Sequence, residues 1–198
     1  MSNRDALLAA AERCLREKGY SATTARDLSA AAGTSLAAIG YHFGSTEALL
    51  NEALVIAFDQ WLERLGSLAI DLVGKPLETA VAALLEGLFA AIRDDAALLA
   101  AFFDATAQSQ HSEALRSQLN QHYSEMREGI AEVMTAIAPS RPDPASARAL
   151  ASLVIAISDG IAVQYLLDSD SLPEPAVVAG LPRLLERATR RRPNLPTN

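Results

Sequence analysis

Apolar positions recur at steps of three and four residues along most of the chain, the spacing of one buried helix face. Leu7, Leu8, Ala11, Cys14 and Leu15 make the first such stripe, with Glu12, Arg13, Arg16 and Glu17 outside it. A helix is expected from about Arg4 to Lys18, ended by Gly19. Between Thr23 and Glu47 the pattern shortens into two brief helices that meet at Gly33. Thr24 and Asp27 have the spacing of a capping box, Ser35 offers the second N-cap, and Ser45 or Thr46 opens the next helix after Gly44. Leu49, Leu50, Ala53, Leu54, Ala57, Phe58, Trp61 and Leu65 then predict a fourth helix over Thr46 to Leu65.

Further stripes predict helices over Leu77 to Arg93, Ala96 to Ala107, Ser112 to Ala138, Ala145 to Leu167 and Ala176 to Thr189. Pro182 falls inside the last pattern and predicts a kink or a late start. No run alternates like a strand between hairpin turns, so the expected fold class is all-α, with about nine helices. The two short helices across a glycine turn are the plan of a helix-turn-helix, whose second helix enters the DNA major groove. The expected division is a three-helix DNA-binding domain at residues 1–47, a helical ligand-binding and dimerisation domain at 48–189, and a disordered tail at 190–198.

Charge sharpens this picture. The chain of 198 residues carries a net charge of −7. Residues 1–50 hold five basic side chains (Arg4, Arg13, Arg16, Lys18, Arg26) against five acidic, so the remainder carries the whole −7. A neutral head on an acidic body suits a sequence-specific reader better than a general nucleic-acid coater. One cysteine, Cys14, excludes an intrachain disulfide, and no basic-then-apolar leader pattern opens the chain. The apolar run from Ala151 to Leu167 is broken by Asp159 and does not make a convincing membrane span. A cytoplasmic protein without a membrane segment is expected.

The order GYSATTARDLSAAAGTSLAAIGYHFGSTEALL resembles the DNA-binding segment of the tetracycline-repressor (TetR) family of bacterial transcription regulators. The resemblance is carried by Gly19-Tyr20, Thr23-Thr24, Ala32-Gly33, Tyr41-His42-Phe43, and Glu47 with Leu49. The family's usual lysine before the glutamate is Thr46 here, which removes one charged phosphate contact. The resemblance implies a homodimeric repressor that binds a palindromic operator in double-stranded DNA and leaves it when a small-molecule effector binds. An alternative stays open: a helical ligand-binding or scaffolding protein with a weakened DNA head.

For DNA reading, the exposed positions expected on the second short helix are Ser35, Leu36, Ala37, Ala38, Gly40, Tyr41 and His42. Leu36, Ala37 and Ala38 offer no side-chain donors but can pack on thymine methyls. The resemblance implies phosphate contacts for Tyr41, His42, Thr24 and Thr46, and Arg26 is the best further basic candidate. The family also implies an effector pocket in the body, where the candidates are Phe58, Trp61, Phe89, Phe102, Phe103, His122, Tyr123, Met126, Asp159, Gln164 and Tyr165. Asp159, an acid amid apolar sequence, needs a partner if buried. Asp94-Asp95 read as solvated or capping residues. His42, His111 and His122 stand far apart with no acid at ligand spacing, and neither a nucleophile elbow nor a phosphate loop occurs. No metal, cofactor or enzymatic activity is expected. The eighth helix, with its small residues, and the ninth, with its apolar stripe, are the expected dimer surface.

Overall fold

The computed structural model describes residues 2–72, 74–137 and 142–180, and among these every regular element is a helix. They are α1 (Asn3–Lys18), α2 (Ala25–Ala32), α3 (Leu36–Phe43), α4 (Thr46–Asp71), α5 (Leu77–Asp94), α6 (Ala96–Gln108), α7 (Glu113–Ile137) and α8 (Pro144–Leu167). A ninth helical segment occupies residues 175–180. Pro182, the outer part of the expected ninth helix and the tail lie outside the described residues.

The boundaries follow from local chemistry. Ser2 closes a capping box with Asp5 at the start of α1, and Thr24 does the same with Asp27 at the start of α2. Gly33 ends α2 in the left-handed region at φ 64°, ψ 30°, which a side chain would strain. Ser35 occupies the N-cap position of α3 but forms no side-chain cap bond, contrary to the sequence expectation. Ser45, not Thr46, caps α4, its Oγ accepting from the Ala48 N–H at 3.0 Å. Several other ends shift by one residue from expectation, and two departures have a clear cause. α4 runs on through Gly66 to Asp71, because its packing against α5 and α7 outweighs one poor helix former. α8 begins at Pro144, whose missing N–H costs nothing at the first helical position and whose neighbour Asp143 supplies the cap.

α1 lies across α2, α3 and α4, with Leu7, Leu15, Leu28, Ile39, Leu49 and Leu54 sealed beneath it. The same buried cluster continues without a break into the body through Phe58, Trp61, Phe89, Ile92, Leu98, Phe102, Leu115 and Leu119. Head and body therefore share one core, and α4 is its spine. Along α7 and α8 a second, smaller cluster of Ala131, Ala147 and Ala151 lets the two helices approach closely.

Candidate nucleic-acid interface and body cluster

α3 is held from behind and bare in front. Ile39 is buried, while Ala38 and Phe43 are half-buried against the head core. Ala38, expected on the exposed surface, is turned partly inward, because it neighbours Ile39 on the packed side. Ser35, Leu36, Ala37, Gly40 and Tyr41 are exposed, with Tyr41 at 86%. His42 is half-buried and meets the Tyr41 ring edge-on at 4.9 Å. Thr24, Arg26, Tyr41 and the half-buried Thr46 sit at the starts of α2 and α4 or on α3.

Most of the head's cations are engaged within the protein. Arg4 pairs with Glu52 and lies 5.1 Å over the Phe43 ring. Arg13 donates to the Ala31 carbonyl at 2.8 Å, satisfying the end of α2. Lys18 pairs with Asp27, whose carboxyl is held well below the usual range, first by Lys18 and then by Thr24. Arg16 donates to Asp95 at 2.6 Å and to Glu12. Arg26 is exposed and forms no ion pair among the described residues.

Asp95 corrects the reading of a solvated or capping acid. It is 8% exposed, makes no side-chain cap to α6, and receives Arg16 from the head and Arg64 from α4, each at 2.6 Å. Nothing in sequence joins residues 79 apart, so no spacing rule could have found the pair. A second clasp runs from α6 to the turn after α1. The Ser21 N–H donates to Asp104 at 2.7 Å, its hydroxyl donates to the same carboxylate, and Gln108 donates to Ser21 Oγ. Ser112, just before α7, donates to Glu47 of α4. The Tyr20 hydroxyl donates to Asn51 at 2.6 Å inside the core, where burial pushes its pKa up to about 12.

In the body, α4, α6 and α7 bring six of the expected effector residues together. Phe58 and Phe102 ring centres are 4.1 Å apart, Phe58 and Trp61 5.9 Å, and Phe102 meets Phe103 and Tyr123 at about the same range. His122 stands edge-on to Phe58 at 5.8 Å and is 2% exposed. Its Nδ1 lies 3.3 Å from Asp59 Oδ1, yet among the described residues neither ring nitrogen has a well-directed hydrogen bond, and Trp61 Nε1 has no partner there either. Burial lowers the His122 pKa and outweighs the attraction of Asp59 and Glu125, so the ring is neutral near pH 7. Asp159 finds its partner within the chain, in the Tyr123 hydroxyl at 2.9 Å, and burial raises the carboxyl's pKa. Met126 and Tyr165 are half-buried, and Phe89 is plain core. Gln164 is exposed and bonds back to the Gly160 carbonyl, away from the cluster.

α8 is long and apolar enough to cross a membrane by length and composition alone, with a mean hydropathy of 1.8 over its best window. Its inner stripe of Ala147, Ala151, Ile155 and Ala162 is buried, and Asp159 lies within it. That is the layout of a helix packed in a helical body. Its outer side exposes Leu150, Leu153 and Ile157, the last two at 59% and 60%.

A helix-turn-helix head fused through one core to a bundle of longer helices is the layout of a DNA-binding transcription regulator. Residues 7–53 match the model described as bacterial regulatory proteins of the tetR family, and residues 77–190 match the BetI-type transcriptional repressor C-terminal model. The chain belongs to the TetR family. No curated protein sequence matches it. Solved structures with this fold include a TetR transcription regulator from Haloarcula marismortui ATCC 43049 (21% identity, 94% of this chain and 97% of that one, TM-score 0.65). A transcriptional regulator from Rhodococcus sp. Rha1 is 18% identical over 91% of this chain and 95% of that one, with TM-score 0.65. The multidrug binding protein EbrR, complexed with imidazole, is 24% identical over 100% and 98%, with TM-score 0.63. At these identities the likeness establishes the fold.

Proposed function

We propose that the chain is a homodimeric repressor that sits on a palindromic operator in the cytoplasm and leaves it when a small molecule enters the body. The observation that carries this reading is the polar clasp between head and body. Arg16, Ser21 and Glu47 are held by Asp95, Asp104 and Ser112, so a shift of α6 or α7 moves the head directly. α6 and α7 also carry Phe102, Phe103, His122 and Tyr123, the aromatic cluster proposed to receive the effector, with Phe58 and Trp61 facing it from α4. Buried ring nitrogens without partners are costly and are a natural place for a ligand's polar atoms. On this reading residues 1–47 read DNA through α3, Thr24, Arg26, Tyr41, His42 and Thr46, and residues from 48 onward bind effector and partner.

Two heads one DNA turn apart gain affinity by effective concentration, which a single short recognition helix needs. The exposed stripe of Leu150, Leu153 and Ile157 supports α8 as part of the isologous surface. The alternative, a scaffold with a weakened DNA head, is favoured by the internal engagement of four of the head's five cations.

Selection from a random duplex pool, followed by anisotropy titration, separates the two. A repressor should select a palindrome and release it on addition of a ligand. EbrR's complex makes imidazole the first probe, followed by a panel of planar apolar compounds. Recovery of no preferred sequence would favour the scaffold, and an operator complex that every compound left intact would remove the effector half of the reading.

A further inference from the structure

We infer that this chain chooses its operator largely through thymine 5-methyl groups, read by the side chains of Leu36 and Ala37. The inference rests on the DNA-binding reading above and adds the chemistry of its specificity.

The outward surface of α3 has an unusual inventory. Leu36 is 52% exposed in the first turn, with Ala37 beside it and Gly40 and Tyr41 one turn on. The helix LAAIGYHF holds no Arg, Lys, Asn or Gln, the side chains that make bidentate contacts with guanine or adenine. Outward hydrogen bonding is left to the Ser35 and Tyr41 hydroxyls and to His42. A leucine this exposed stands apart on a head whose other leucines are packed inward. Gly40 meets no neighbouring atom within 4 Å where a Cβ would stand, so packing in the free chain does not require glycine there. The room it leaves faces outward, and allows the helix to lie close to the groove floor.

The cations give an independent reason. Arg4, Arg13, Arg16 and Lys18 are already engaged by Glu52, the Ala31 carbonyl, Asp95 and Asp27. None of them is on α3, and Arg26, which forms no ion pair among the described residues, is on α2. With no Arg, Lys, Asn or Gln on α3 and four of the head's five cations engaged behind it, the contact that α3 itself offers for discriminating base pairs is largely apolar. Of the major-groove edges only thymine presents a methyl group.

The test begins with the operator that the native chain selects from a random duplex pool. Each thymine is then replaced by deoxyuridine in turn, which deletes the methyl and keeps the base pair. One or two positions per half-site should weaken binding about fourfold each, the worth of one buried carbon. Leu36→Ala should bind the native operator more weakly, yet lose little further affinity on the deoxyuridine operator. An operator insensitive to every deoxyuridine replacement, or specified by guanines across the half-site, would overturn the inference and leave the regulator reading standing. Selection of no sequence at all would overturn both. The deoxyuridine arm uses the unaltered protein, so misfolding of a variant cannot decide the outcome.

Discussion

Arg16 of α1 and Asp95, between α5 and α6, form a 2.6 Å hydrogen-bonded ion pair that crosses from the DNA head to the body. Arg64 of α4 occupies the carboxylate's other oxygen. One nearly buried acid thus ties together the first helix, the spine and the start of α6. Removing such an acid leaves two guanidinium groups facing each other without their anion.

Asp95→Ala should therefore destabilise the chain by about 2 kcal/mol, below the usual cost of breaking a buried pair because both arginines are partly exposed. The more informative readout is coupling. If the pair transmits effector binding, the variant should still bind operator but respond less to ligand. Urea unfolding measures the first effect, and anisotropy with and without ligand the second. An unchanged ligand response would confine Asp95 to stability.

His122 should make stability depend on pH. Its folded pKa is lowered by burial, so below the ordinary value of 6.5 the unfolded chain takes up a proton that the folded chain refuses. The contribution is complete above that value and is lost as pH falls below it. Between about pH 8 and about pH 5 the melting temperature should fall further for the native chain than for His122→Leu. Equal falls would mean that the ring is charged, or relieved by Asp59, in the folded state.

Tyr41→Ala and His42→Ala test the phosphate assignment. Both should weaken specific and non-specific duplexes alike, and Tyr41→Ala should leave the slope of log affinity against log salt unchanged, because a phenol hydroxyl on a phosphate releases no counterion. A change of sequence preference would instead place that residue at a base edge.

The proposed dimer surface can be probed on α8. Leu153→Glu or Ile157→Glu puts a charge on the exposed stripe without touching the buried side of the helix. Sedimentation should show monomers, and operator binding should collapse while helical content is unchanged. An intact dimer in both α8 variants would move the interface elsewhere.

Much of this molecule was legible in its sequence because the determining interactions are local. The capping box of Thr24 and Asp27, the stop at Gly33 and the apolar repeat of α4 act within a few residues, so the spacing of the letters contains them. The family segment from Gly19 to Leu49 was legible for the same reason. The tertiary structure decided what depends on distant neighbours. It placed Asp95 between two arginines, gave Asp159 to Tyr123, drew Ala38 partly inward and set Gln164 outside the aromatic cluster. It also committed four of the head's five cations within the protein, where the sequence showed only a neutral balance. Whether a charge is free or engaged depends on which helices meet, and chain spacing alone does not encode that.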